Sequence, residues 1–428
     1  MARPDRDLTP LQHARIRRHL VLIPAYICLV WGWSDLVRRL PVGPGSEAHR
    51  ARDFAAIAYI PGVIANQGDA SWLYDTERRA GMLRALVPAG PAVRYPPFYG
   101  PQISVLFGPL ARLPYEWALV AWMAITCVVY FACGYAIWRA CPRLRDRPDA
   151  VAVLLLADAT LFYTLSFVQI SAIALICVTA AFFALRANHP FLAGVFVGGL
   201  IYKPSMGVAF GVVFLLAALA REASADRRVV LGAIAGAVGQ IAIGALFWGP
   251  SIVSEYLRAQ VRLIPDMRDE FYIHHLHSWR GFFEILGLPN AVAQTGYVIA
   301  AVLVLALAFR SWRSAAPLPV RFAVLLIATV LVNPHGYVYD SIILMPALLL
   351  LWDAFEGNRR VEWLLYFCYL APLLTIVALV ARVQLSVPAL TALAVATASP
   401  RPPKKNSMAH RRQLHDVRDS RSTDHAHG

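Results

Sequence analysis

The residues with the most chemical reach are few, and they fall in short polar intervals between long apolar blocks. In chain order they are Asp53, Gln169, Lys203, the cluster His274, His275 and His277 with Arg280 just after it, and then Asn333, His335 and Asp340. A carboxylate among several amide and cationic donors suits attack by a hydroxyl group. The carboxylate takes the hydroxyl proton while the donors stabilise a departing phosphate. Asp53 is the candidate base. Because Phe-Ala-Ala-Ile-Ala-Tyr follows it, a helix-capping aspartate is the competing reading, and one residue can do both. Lys203 is the only lysine of the apolar body, since Lys404 and Lys405 lie in the C-terminal tail. It falls at the expected outer end of a short span, just before Pro204; a charge at that depth is functional or snorkels, which makes Lys203 a candidate phosphate contact.

The other candidates keep more than one role open. His274, His275 and His277 suit donor-phosphate or acceptor binding, or an interfacial loop of no special function. Three histidines so close along one segment seldom present metal ligands on one face. His335 and Asp340 could pair with each other, orient an acceptor, or form a structural polar cluster. Asp158 stands in the middle of an apolar stretch, so it must face the bundle interior, protonated or hydrogen-bonded to a neighbour such as Gln240, in a structural role. Two absences narrow the chemistry. No lysine follows a glycine as a phosphate-binding loop requires, and the only D-x-D is Asp5-Arg6-Asp7 near the N-terminus, where a solvated pair is expected. ATP-driven chemistry and metal-assisted use of a nucleotide-sugar are therefore not expected; no metal or other cofactor is called for.

The elements that must position these residues are membrane helices. Of 428 residues, 58% are apolar and 15% charged, whereas soluble domains carry roughly a quarter charged residues. That composition excludes a soluble enzyme, a nucleic-acid binder and a single-span receptor. The net charge of +14 follows membrane topology rather than a nucleic-acid partner. Apolar blocks of about 16 to 24 residues map onto about twelve spans between 20 and 398, with the Arg-rich loops 139–149, 186–189, 221–228, 310–321 and 353–360 all inward. The first block, Leu20 to Val37, has no A-x-A site after it and reads as a span, not a removable signal. Basic tails at 1–19 and 399–428 are expected to be cytoplasmic, the second disordered. The large outer loops are then about 38–114 and 249–290. Pro97 to Leu113 holds too many Pro and Gly residues for an uninterrupted spanning helix and reads as juxtamembrane or re-entrant; a crossing with one fewer span later is the alternative. The cysteines read as small apolar packing residues. On this map the candidate residues all gather on the outer side.

The ordered series Arg52-Asp53-Phe54, Gln67-Gly68-Asp69 through Asp75, Arg94-Tyr95-Pro96-Pro97-Phe98, Val168-Gln169-Ile170-Ser171, Tyr202-Lys203-Pro204 and Asn333-Pro334-His335-Gly336-Tyr337-Val338-Tyr339-Asp340 resembles bacterial glycosyltransferase family 87. Its members look like polyprenyl-phosphate-mannose-dependent alpha-mannosyltransferases of the GT-C membrane class. The resemblance runs from about Asp53 to Leu350. It implies that the loop carboxylate after the first span, here Asp53, is the catalytic base. Val168 departs from it, because the family commonly has Gly before Gln169. Trp279 is then a ring able to stack on a sugar.

The expectation is an all-α, GT-C-like polytopic membrane bundle with juxtamembrane helices in the first outer loop. Its expected activity is inverting, metal-independent transfer of a hexose, mannose by resemblance, from a polyprenyl-phosphate donor to an envelope glycan or glycolipid acceptor. Asp53 would be the base, with Lys203, Arg280, His274, His275, His277, Gln169, Asn333, His335 and Asp340 contacting donor phosphate or substrate. The expected location is the bacterial inner membrane, among its lipids, with the site facing the periplasm and both termini cytoplasmic. The competing class is a polytopic transporter or a flippase of lipid-linked sugars, although no internal repeat of the transporter kind is visible.

Overall fold

A computed structural model describes residues 22–38, 52–87, 95, 97–220, 224–263 and 273–398. The expected basic tails at 1–19 and 399–428 lie outside the described residues. Among those described, the fold is helical, with no strand and one isolated antiparallel bridge, Leu276 to Tyr337.

Four helical stretches are long and apolar enough to cross a bilayer: Tyr115–Ala140, Pro148–Ser166, Ser224–Trp248 and Asn290–Trp312. The expected count of about twelve spans is not established. Many of the apolar blocks fold as shorter helices, among them Ala172–Arg186, Val208–Ala218, Leu318–Val332 and Ser386–Ala398. At about 1.5 Å per residue, such helices reach roughly 16 to 23 Å, short of a hydrocarbon core of about 30 Å. Local chemistry explains the breaks. Pro148–Leu156 and Ala159–Ser166 meet at Asp158, whose side chain caps the second helix by accepting from Thr160 N at 2.8 Å. Pro190–Gly198 gives way to single tight turns on either side of Lys203 before Val208–Ala218 begins. The Pro97 to Leu113 segment contains a six-residue helix, Gln102–Phe107, about 9 Å long and too short to cross alone, and a single tight turn, Leu110–Arg112.

Packing follows residue size. We label Ile23–Arg38 α1, Tyr115–Ala140 α2, Pro190–Gly198 α3, Ser224–Trp248 α4, Asn290–Trp312 α5 and Leu318–Val332 α6. On α3, Gly194 and Gly198 lie four apart and press on the backbone of α4 at Val229 and Ala233; Gly232 and Gly236 of α4 press back on Phe191 and Val195. A Cβ at any of the four would collide with a main-chain carbonyl, so the two helices approach as small-residue membrane pairs do. α6 is the core element, buried continuously from Phe322 to Val332. By contrast α1, α4 and α5 present large apolar side chains outward, such as Val30, Trp31, Val238, Leu246, Val302 and Leu303. Water would not tolerate so much exposed apolar surface, whereas lipid does.

The connections sort to two ends. At one end Arg143 N donates to Asp353 Oδ1 at 2.7 Å, Arg147 pairs with Glu356, Arg186 reaches Ala140 O and Trp312 Nε1 donates to Asp226 Oδ1 at 3.0 Å. These partners all come from the loops expected to face inward or from the helix ends beside them. At the other end, segments near 53, 95, 169, 203, 276, 335 and 340 meet. Asp158 lies between the ends, and its partners correct the expectation of Gln240. Tyr130 OH donates to Asp158 Oδ2 at 2.7 Å and Thr160 to Oδ1, while Gln240 Nε2 is spent on Gly199 O. All six cysteines are free, and all but Cys127 are buried.

Candidate active site

Asp53 sits in the first turn of a continuous helix made of Arg52–Phe54, a π-helical turn Ala55–Tyr59, and Ile60–Gln67, here α7. Its carboxylate bonds run to side chains rather than to a helix end. Tyr95 OH donates to Oδ1 at 2.6 Å and Gln169 Nε2 to Oδ2 at 2.6 Å. The true helix caps of this region are two other aspartates, Asp69 and Asp75, which accept from Ser71 N and from Glu77 N and Arg78 N. Burial pushes the Asp53 carboxyl above its ordinary range; the two hydrogen bonds and the Lys203 charge pull it back in part.

Gln169 is held from behind. Its carbonyl accepts from Trp122 Nε1 at 3.1 Å, and its N–H donates to Thr164 O at 2.9 Å, closing the end of the helix that began at Ala159. That closure needs a left-handed residue just before Gln169, and Val168 supplies it with φ 47. Glycine is the residue suited to this position, and a buried β-branched side chain there is strained. The departure at Val168 noted in the sequence thus marks a backbone turn that places the Gln169 amide on Asp53.

Lys203 is not a lone cation. Its Nζ lies 2.6 Å and 2.5 Å from the two oxygens of Asp340 and 5.3 Å above the Tyr339 ring. Asp340 also accepts from Ser171 Oγ at 2.8 Å. Of the roles left open for His335 and Asp340, a pairing with each other is not what forms; Asp340 pairs with Lys203. His335 lies instead against Arg280, with Nη1 3.4 Å from its Nδ1, and Asn333 Oδ1 accepts from the His335 N–H at 3.0 Å. Arg280 is neutralised by Glu284, 2.7 Å away, one turn along Trp279–Ile285.

A cavity of about 270 Å³ opens between these groups, lined by Phe98, Tyr99, Tyr202, Lys203, Pro204, Ser205, Gln260, His335, Tyr337 and Tyr339. Among the singled-out residues, Lys203 and His335 line it. Asp340 grips Lys203 from behind, and Asn333 and Arg280 brace His335. Asp53 and Gln169 form a second cluster close by, near enough that the charges of Asp340 and Asp53 add to burial in keeping the Tyr99 phenol protonated. The remaining histidines lie off the cavity. His275 packs edge-on against Tyr163 and Phe167 at 6.0 and 5.5 Å, with His274 beside it at 4.3 Å, while His277 is buried and its N–H donates to Gly336 O. Burial lowers all of them, His275 to about 4 and His277 to about 3; His335 falls to about 4 through burial and the neighbouring Arg280 and Lys203 charges. They are neutral at physiological pH and serve as hydrogen-bonding groups, not as cations. Among the described residues no three His, Cys, Asp or Glu side chains gather to hold a metal ion. Trp279 stacks on Phe283, ring centroids 5.6 Å apart, and does not line the cavity.

The tyrosines were the part missed. Tyr95, Tyr99, Tyr202, Tyr337 and Tyr339 supply the second hydrogen bond to Asp53 and much of the cavity wall. Their signal was present, because a tyrosine stands within or beside three of the polar motifs: Tyr95-Pro96-Pro97, Tyr202-Lys203-Pro204 and Tyr337-Val338-Tyr339-Asp340.

No curated protein and no solved structure matches the chain. The family model described as glycosyltransferase family 87 matches residues 97–334, a span that holds Gln169, Lys203, the loop histidines, Arg280 and Asn333 and leaves Asp53 and Asp340 outside. With more than half of its length matched, the chain belongs to glycosyltransferase family 87 and is a glycosyltransferase.

Proposed function

We propose that the protein transfers a hexose, mannose by resemblance to its family, from a polyprenyl-phosphate donor to a glycan or glycolipid hydroxyl at the periplasmic face of the inner membrane. The observation that carries this reading is the buried Asp53 carboxylate, held at 2.6 Å by Tyr95 and Gln169, beside a tyrosine-walled cavity whose one lining cation among the described residues is Lys203. In the proposed step the acceptor oxygen attacks the anomeric carbon as Asp53 removes its proton. The bond from that carbon to the phosphate oxygen breaks, and the phosphate leaves carrying the electron pair, stabilised by Lys203 and neutral donors such as His335. One displacement inverts the anomeric configuration. The leaving group is already activated, so the step needs neither ATP nor a metal.

The periplasmic assignment is supported by the separation of the two ends. The Arg-rich loops collect at one end and the cavity at the other, and short Arg-rich loops stay on the cytoplasmic side. Purified protein in nanodiscs, given radiolabelled polyprenyl-phosphate-mannose and a cell-envelope lipid extract, is expected to move label into a new glycolipid, with or without EDTA. Label accumulating inside vesicles with no new glycosidic product would replace this reading with transport.

A further inference from the structure

The helix that carries Asp53 contains a vacancy in its own hydrogen bonding. In the π-helical turn Ala55–Tyr59, bonds run from residue i+5 back to residue i, and Ile60 N–H donates to Ala55 O accordingly. The next acceptor, Ala56 O, looks to residue 61. That residue is Pro61, which has no N–H. The same proline ring would clash with the carbonyl of Ile57 in a regular α-helix, which is a physical cause for the wider turn. Ala56 is fully within the core, so its carbonyl cannot turn to water.

The vacancy is filled from another element. Arg79, on the helix Thr76–Leu86, is 6% exposed; its Nη2 donates to Ala56 O at 2.6 Å and its Nη1 to Leu73 O at 3.1 Å. Both of these hydrogen bonds go to main-chain carbonyls. The far side of α7 is fixed independently. Gly62 lies directly on the Phe107 carbonyl, Tyr59 OH donates to Leu113 O at 2.8 Å, and Asn66 Nδ2 donates to Gly108 O at 2.9 Å. With that end held, the extra residue of the π turn rotates the preceding turn, and Asp53 with it, by about 100° relative to a regular helix.

We propose that Arg79 is a positioning residue for the catalytic carboxylate: by occupying the Ala56 carbonyl that Pro61 leaves unpaired, it maintains the π turn that aims Asp53 at Tyr95 and Gln169. The inference rests on the reading of Asp53 as the base. Arg79 touches no reacting atom; it acts through the helix.

Pro61→Ala tests it, because the variant supplies the missing N–H and lets the helix close regularly. The expected result is a melting temperature at or above that of the parent protein, with kcat lowered on the order of 100-fold and donor KM little changed, as for a misplaced catalytic group. Arg79→Met is expected to lower both kcat and melting temperature, and Arg79→Lys, which keeps one donor, to restore part of each. In Pro61→Ala/Arg79→Met the stability loss of the arginine change should largely vanish, since Ala56 O no longer needs it. If Arg79→Met alone does not fold, recovery of folded protein in the double variant is the expected outcome. Parental kcat in Pro61→Ala, or melting-temperature losses that simply add in the double variant, overturns the proposal. The parent protein and Asp53→Asn are assayed alongside. No transfer by the parent would be a failure of the functional reading, while the stability cycle still judges the helix.

Discussion

The two ends of the bundle hold their polar groups in different ways. At the arginine-rich end, the groups are largely exposed and, beside the Arg147–Glu356 pair and the Trp312–Asp226 bond, act on backbone: Arg143 donates to Asp353 O and Ala354 O, Arg145 to Arg139 O, and Arg227 to Ala218 O. At the cavity end they are buried and bond to each other's side chains, Asp53 with Tyr95 and Gln169, and Asp340 with Lys203 and Ser171. Exposed pairs cost little to lose and contribute at most about 1 kcal/mol each, whereas a buried charge without its partner costs about 3 to 5 kcal/mol. The cavity end thus keeps a geometry that stability alone would not favour, whereas the arginine end holds its contacts at little cost.

The largest contrast should come from Asp53→Asn. Transfer is expected to fall by about 10²- to 10⁴-fold, as for loss of a general base, while the melting temperature at neutral pH holds or rises. The sign follows from burial. The folded carboxyl is raised above its unfolded value, so its contribution to stability is present at low pH and is lost as pH rises through the folded pKa. The same shift places the acidic limb of the kcat/KM profile above the ordinary carboxylate range near 4. A limb at or below that range would separate the limb from Asp53.

Next in size, Lys203→Met leaves Asp340 buried with its charge unmet, at 2% side-chain exposure. A loss of about 3 kcal/mol or more in stability is expected, together with weaker donor binding; the Lys203→Met/Asp340→Leu pair should recover the stability but not the binding. Recovery of both would remove Lys203 from the phosphate. At the other end, Asp353→Asn gives up charge-assisted bonds to Arg143 N and Leu144 N and is expected to cost about 1 kcal/mol with kcat unchanged. A large change in turnover there would show that the two ends are coupled. The smallest effect is expected from Val168→Gly, a gain of roughly 1 kcal/mol from relieving the left-handed valine, offset in part by a lost side-chain contact. Thermal unfolding in detergent reads it directly.

Much of this contrast was legible in the residues. Apolar blocks and Arg-rich loops separate the two ends without any reference to chemistry, and part of the candidate set, Lys203 with Asp340 and Asp53 with Gln169, comes together at one of them, while His274, His275 and His277 lie off the cavity. Contacts between particular residues were not legible, because they depend on how each helix is rotated about its axis. Asp340 reaches Lys203 instead of His335, and Asp158 reaches Tyr130 instead of Gln240, for that reason. Breaks inside or beside the apolar blocks were not legible either: Asp158 caps a new helix within one block, the helices on either side of Lys203-Pro204 stop short of it, and Val338–Ile343 forms tight turns before Leu344–Ala354. The π turn at Pro61 had a visible cause in the proline, but its partner Arg79 reads in sequence as one more basic loop residue.

The Lys203–Asp340 pair also has a meaning in time. Its members are 137 residues apart. At roughly 5 to 20 residues per second, about 7 to 27 s of synthesis pass between the two. For that interval the growing chain holds an ammonium group among apolar helices before its counterion has been made. A nascent chain stalled before Asp340 therefore carries a charge without its counterion, and the pair behind the cavity wall forms only once about four-fifths of the chain has been made.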